Sequence, residues 1–222
     1  MCGRFTLRSV DRIRLALGDR IDLEYVPPRY NIAPTQPVIT VVDNEIKEMT
    51  WGLIPNWSKE PKAIINARAE TLDTRASFKE SFEKRRCLIL ADGFYEWRRV
   101  GRSKQAFFFQ MKDEHAFAFA AIWDWWRKGE LIINSCAIVT TNANELLLPI
   151  HDRMPVILRE ESYKLWLNPE VSPSELKKLL EPYASDEMKS HPVSSQVNYA
   201  DIENEDLITR VDVEKGTTPS LF

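Results

Sequence analysis

The stretch CLILADGFYEWRRVGRSKQAFFFQMKDEHAFAFAAIWDWWRKGELIINSCAIVTT, residues 87–141, decides the fold. It holds five strand-like runs: Cys87 to Ala91, Phe94 to Val100, Gln105 to Met111, Ala116 to Trp123 and Leu131 to Thr141. They are rich in β-branched and aromatic residues and are broken by short polar turns, of which Gly101-Arg102-Ser103-Lys104 reads as a hairpin. No helical pattern separates them, so mostly hairpin linkage is expected in place of alternating βαβ units. The predicted class is α+β, a curved, barrel-like antiparallel β-sheet core with flanking helices.

Outward from this stretch the pattern changes. Val38 to Thr50 reads as a hairpin turning at Asp43-Asn44. Tyr25 to Pro37 carries four prolines and reads as an irregular loop, and Trp51 to Lys62 as a second loop. Helices are expected over Ser9 to Leu17, Ser77 to Lys84, Asn142 to Leu148 and Glu160 to Leu167. Ser172-Pro173-Ser174-Glu175 is a capping box that opens another. A last strand is expected over Met188 to Val193, and the tail after Val211 has little apolar periodicity. With no repeat or linker, the expectation is one domain over residues 1–222, its core within 2–210.

Composition narrows the function classes. A net charge of −3 excludes a bulk polycation that coats duplex DNA. Arginines crowd two segments, one with Arg4, Arg8, Arg12 and Arg14, the other with Arg85, Arg86, Arg98, Arg99 and Arg102 beside Lys104; each suits a local basic groove or a solvated face. Three cysteines are too few and odd in number for a disulfide framework, which points to a reducing compartment. Cys87 and Cys136 sit in apolar runs and read as buried and inert. No apolar stretch reaches a membrane-spanning length, so a cytoplasmic monomer with no membrane association is expected.

Several polar residues stand where a simple core would not want them. Glu96 lies inside a predicted strand. Asn66 and Arg68, two apart on an extended chain, face the same side. His151 lies in Ile150-His151-Asp152-Arg153-Met154-Pro155, whereas His115 and His191 read as ordinary. Taken singly, a strand Glu is usually at the surface or salt-bridged and a lone His usually structural. No Ser-His-Asp order, phosphate loop or HExxH is present, and the scattered Cys and His do not make a zinc site.

The combination resembles the SRAP family, the SOS-response-associated peptidase or abasic-site-processing proteins. The motifs are Met1-Cys2-Gly3-Arg4-Phe5, Arg29-Tyr30-Asn31-Ile32-Ala33-Pro34, Trp51-Gly52-Leu53-Ile54-Pro55, Ile65-Asn66-Ala67-Arg68-Ala69-Glu70-Thr71, Asp92-Gly93-Phe94-Tyr95-Glu96-Trp97 and the His151 segment. They run in order over residues 2 to about 200. The resemblance implies recognition of abasic sites in single-stranded DNA and covalent linkage through the N-terminal Cys, with no cofactor or metal. It makes Cys2 the nucleophile and Asn66, Glu96 and His151 its catalytic companions. Arg4, Asn31, Pro34, Arg68, Trp97, Thr140 and Arg153 fall in the implied DNA-contacting set. Trp51 and Trp57 either stack on a base or anchor their loop.

The chemistry suits these groups. An abasic sugar opens to an aldehyde, which an amine attacks to give a Schiff base. An α-amino group titrates at about 7.7–8.0, so a usable fraction is neutral near pH 7. An N-terminal Cys also places a thiol where it can close on the imine carbon as a thiazolidine. The imine acidifies the neighbouring sugar carbon, which makes lyase activity a companion reaction. Two other readings stay open: a thiol (auto)peptidase using Cys2, which needs no leader removed beyond Met1, and a non-catalytic single-stranded nucleic-acid binding module.

Overall fold

The computed structural model describes residues 2–9, 27–43 and 45–212. Its strands are β1 (Arg4–Leu7), β2 (Arg29–Ile32), β3 (Pro37–Val42), β4 (Glu45–Trp51), β5 (Asn66–Arg68), β6 (Arg86–Ala91), β7 (Gly93–Val100), β8 (Ser103–Met111), β9 (Phe117–Lys128), β10 (Leu131–Asn142), β11 (Arg153–Pro155), β12 (Ile157–Leu158) and β13 (Met188–Pro192). Short helices α1 (Lys79–Lys84), α2 (Tyr163–Leu167) and α3 (Pro173–Lys177) lie between strands. The α+β class with a barrel-like core is therefore correct.

The strands form two sheets. One has the order β13-β8-β7-β1-β2. In the other, β10 pairs with both β4 and β9, so the path β10-β4-β3-β6-β9 closes on itself as a five-stranded barrel. Closure removes the free edges that an open sheet would expose. Most pairings are antiparallel, but β10 runs parallel to β4 and to β5.

Burial explains why the aromatic runs look continuous. In β8, Phe107 and Phe109 join the main core while Phe108, between them, packs with Tyr95, Val193, Val197 and Leu207 on the opposite face. A strand covered on both faces shows no apolar–polar alternation. Phe5 meets Trp51 and Phe119 edge-on, with ring centroids 5.1 and 5.7 Å away, which packs β1 against the barrel. Gly93 is required by this packing: a Cβ there would stand 2.3 Å from the Phe108 ring.

Several boundaries differ from the sequence reading. The proline-rich segment contains β2, which among the described residues pairs only with β1, at the sheet edge, where flanking prolines remove no ladder bond. The β7–β8 turn is only Gly101-Arg102, since Ser103 already pairs with Val100. β9 runs on to Lys128 despite its charges, because Trp125 to Lys128 pair with Leu131 to Asn134 in a hairpin. The helix expected over Asn142 to Leu148 is absent: Asn142 pairs with Arg153 in the ladder, and Asn144 opens a run of turns by accepting Leu147 N–H through Oδ1. Pro149, which lacks an N–H, interrupts the helical ladder between the first turn and the next, in which the Ile150 and His151 amides donate to Leu147 O. The Ser172 capping box is present, with Ser172 Oγ accepting from Glu175 N–H. The expected helix at Ser9 to Leu17, apart from Ser9 itself, and the end of the tail lie outside the described residues.

Two members of the second arginine cluster, Arg85 and Arg86, turn inward and line no surface groove, whereas Arg99, Arg102 and Lys104 are exposed. Arg86 is buried and donates to four carbonyls, those of Phe82, Glu83, Trp166 and Asn168, at the C-terminal ends of α1 and α2. Helix C-termini carry partial negative charge, so they hold a cation without a carboxylate. Arg85 pairs with Glu80 and Asp124 and lies over Trp125. Among the described residues, no helix is long and apolar enough to cross a membrane.

Candidate active site

β1 places the N-terminal residues beside β7. Arg4 pairs with Tyr95 and Phe5 with Phe94, so the same register carries Cys2 to the level of Trp97, next to Glu96. Asp92 anchors this strand: it accepts from Thr6 Oγ1 and from Arg8 through both backbone and guanidinium. A chain end is usually frayed, yet Cys2 is fully buried. Its carbonyl accepts a 2.9 Å bond from Asn66 Nδ2.

Asn66 reaches Cys2 because β5 lies alongside β10, with Ile138 opposite Asn66 and Thr140 opposite Arg68. Ala67 points to the core, so Asn66 and Arg68 share the other face, as their spacing predicts. Asn66 Oδ1 and Thr140 Oγ1 are buried and have no hydrogen-bond partner among the described residues. Orphaned polar atoms are rare in folded proteins; here they flank the Cys2 backbone and the strand that leads toward His151.

Glu96 shares the face of Phe94, where alternation would call for an apolar side chain, and is 1% exposed. Burial pushes its carboxyl above the usual range, against the opposing positive charges of the amino terminus and His151. The Cys2 thiol is also pushed up, chiefly by burial and next by the negative charge of Glu96. Glu96, Trp97 and His151 line a pocket of about 570 Å³ together with Ser103, Lys104, Ser195 and Asn198. His151 Nδ1 accepts the Arg153 backbone N–H at 2.9 Å.

The remaining candidates divide. Arg4 is half-buried, bonded only to the carbonyls of Gly3 and Asn198, and has no carboxylate partner among the described residues. Burial lowers its pKa without any acidic compensation. Arg68 is exposed. Trp97 is half-buried and donates from Nε1 to Asn198 Oδ1 at 2.8 Å. Trp57 is 60% exposed. Trp51, by contrast, is fully buried, donates from Nε1 to Ile65 O at 2.9 Å and has no face to offer a base. Asn31 is buried too, and its amide holds the carbonyls of Tyr199 and Ile202. Pro34 lies in the turn that follows β2. Arg153 is bonded to Glu70, Asn142 and Thr140 O, so its guanidinium is already engaged.

The sequence reading missed one wall of the pocket. Ser195 and Asn198 come from the 3-10 turn Ser195–Asn198, roughly a hundred positions from Glu96. Glu203 holds that end of the chain to β2 by accepting from the Tyr30 and Asn31 amides and from Arg29. The acidic composition of residues 201–206 was visible, but its partner was not. Among the described residues no Cys, His, Asp and Glu cluster could hold a metal ion.

Residues 1–200 match the family described as SOS response associated peptidase (SRAP). The chain is 43% identical over 212 residues to the abasic site processing protein YoqW of Bacillus subtilis, covering 89% of this chain and 94% of that one. It is 32% identical to the abasic site processing protein YedK of Escherichia coli, covering 95% of this chain and 100% of that one. A crystal structure of a protein from Bacteroides thetaiotaomicron superposes with a TM-score of 0.84 at 25% identity, over 95% of this chain and 100% of that one. A phage-related protein from Bordetella bronchiseptica superposes at 0.70 with 28% identity, over 86% and 94%.

Proposed function

The chain belongs to the SOS response associated peptidase family, and from that premise we propose that it processes abasic sites in single-stranded DNA by linking covalently to them through Cys2 once Met1 is removed. The observation that carries this reading is the placement of Cys2: an ordered, buried residue at position 2, held by Asn66 and set beside a buried carboxyl at a pocket.

The Cys2 α-amine adds to the sugar aldehyde, and loss of water gives an imine. The thiol then adds to the imine carbon, its proton passes to the nitrogen, and a five-membered thiazolidine closes. Glu96 receives the proton the amine sheds on attack; a carboxyl raised toward neutral pH is a better base than an ordinary one. His151 donates to the sugar oxygen as the ring opens. The orphaned Asn66 Oδ1 and Thr140 Oγ1 offer hydrogen bonds to the opened sugar. Arg4, a cation without a carboxylate partner among the described residues, suits a phosphate irrespective of sequence, and exposed Arg68 a second. Proton loss from the sugar carbon next to the imine, with departure of the 3′ phosphate, is the competing lyase path.

A thiol peptidase needs a thiolate, which requires a lowered thiol pKa. The Cys2 thiol is pushed the other way, so the amine-first order is favoured over peptidase chemistry. The test is incubation with abasic single-stranded DNA and a denaturing gel. A shifted band is expected with wild type, stable to heat, and a weaker one with Cys2→Ala that borohydride restores by trapping the imine. No band with wild type refutes the proposal.

A further inference from the structure

Glu70 belongs to the motif that carries Asn66 and Arg68. It sits in the 3-10 turn Ala69–Thr71 that follows β5. Its carboxylate grips Arg153 with both oxygens, and the Nη2 bond to Oε2 is 2.9 Å. The same guanidinium donates to Asn142 Oδ1 at 3.0 Å and to Thr140 O at 2.7 Å. Arg153 thus ties three elements together: the turn after β5, the end of β10 and β11. Its backbone N–H, in turn, is the donor to His151 Nδ1.

That amide bond has a chemical consequence. A backbone N–H only donates, so the Nδ1 it meets carries a lone pair, and the neutral ring keeps its proton on Nε2. Asp152 stands 3.1 Å from the same nitrogen and would favour the opposite tautomer. Its carboxylate is 82% exposed and can turn into water, whereas the Arg153 amide is fixed in a strand with a buried side chain. Among the described residues, Glu96 and Lys104 are the other charged groups that line the pocket with His151, and Glu96 interacts electrostatically with it.

We propose that Glu70 is a positioning residue: by clamping Arg153 it holds the Arg153 amide against His151 Nδ1 and so keeps neutral His151 protonated on Nε2. The catalytic value of this arrangement rests on the reading of His151 as the acid at the sugar oxygen. The tautomer itself does not depend on that reading.

The experiment is nitrogen-15 NMR of the histidine rings in the intact protein without DNA, at a pH above the histidine range. The His151 signals are assigned by their loss in His151→Gln. Wild type is expected to show a bare Nδ1 and a protonated Nε2. Glu70→Ala is expected to show a mixture of the two tautomers, and Glu70→Asp, which can still pair with Arg153, to return toward wild type. Glu70→Gln, which keeps one acceptor for Arg153, covers the case that Glu70→Ala does not fold. In parallel, single-turnover cross-linking at saturating abasic DNA is expected to fall by roughly tenfold or more in Glu70→Ala, since small displacements of a reacting group cost that much, with partial recovery in Glu70→Asp. A wild-type ring protonated on Nδ1, or a tautomer indifferent to every Glu70 substitution, overturns the proposal. A wild-type protein that shows the expected tautomer and the expected Glu70 effect but never cross-links overturns the proposed function instead.

Discussion

Replacing Trp51 with Phe, and separately Trp57 with Ala, separates the two tryptophans that one loop motif brings together. Trp51 is fully buried, meets Phe5 edge-on at 5.1 Å and donates to Ile65 O at 2.9 Å. Trp51→Phe removes half of the ring system from a packed site, which costs about 1–2 kcal/mol in transfer and cavity terms. It also removes one hydrogen bond, worth about 1 kcal/mol net. Ile65 O keeps its bond from the Ile138 amide, so no orphaned carbonyl adds to this. The sum is about 2–3 kcal/mol, or a Tm lower by roughly 4–12 °C in a chain of this size. DNA affinity of the folded variant is expected to match wild type. Trp57→Ala should do the reverse. At 60% exposure its loss changes stability by no more than about 0.5 kcal/mol. Loss of a stacked base weakens single-stranded DNA binding by about 1–3 kcal/mol, or roughly 5- to 150-fold. The assays are thermal melting by circular dichroism and fluorescence anisotropy with labelled abasic oligonucleotide. A Trp51→Phe protein that melts with wild type yet binds DNA poorly refutes the assignment of Trp51 to the core.

Three further outcomes are expected. Glu96→Gln should slow cross-linking and raise the melting temperature at neutral pH. The folded-state pKa of Glu96 lies above the unfolded one, so wild type loses stability as pH rises from the ordinary Glu range of about 4.3 toward the folded value. Melting across pH should therefore show the variant gaining on wild type in that window, and a constant difference would contradict the burial argument. Arg4→Ala should weaken single-stranded DNA binding equally for all sequences and reduce the slope of log K against log salt by about 0.7, as one lost phosphate contact requires; titrations at several salt concentrations measure it. Gly93→Ala should abolish soluble folded protein, because its Cβ would lie 2.3 Å from the Phe108 ring and 3.0 Å from Phe109 O; circular dichroism of the expressed variant checks this.

Local pattern made the strands legible where polarity alternates or turns are marked. The β3–β4 hairpin follows from Asp43, whose φ of 51° suits the first turn position. It misled where a segment's partner lies far along the chain. β2 looked like a loop because prolines surround it, and pairing at a sheet edge is invisible to local propensity. Asn142 looked helical because nothing nearby in sequence announces its ladder partner Arg153. Arg85 and Arg86 looked like a basic surface because adjacent charges give no sign of the carbonyls and carboxylates that folding brings to them.

For the site, the sequence by itself determined which groups are available: a Cys at position 2, a Glu in a strand, an Asn and Arg on one face, and a His before a short strand. The chemistry of those groups is intrinsic, so their identities suffice to suggest it. Only the tertiary structure decided their states. Burial raised the carboxyl of Glu96 and the thiol of Cys2 together, packed Trp51 and Asn31 among neighbouring residues, and set Ser195 and Asn198 in the same pocket as Glu96. Desolvation and long-range pairing act through distance in space, and a sequence records only distance along the chain.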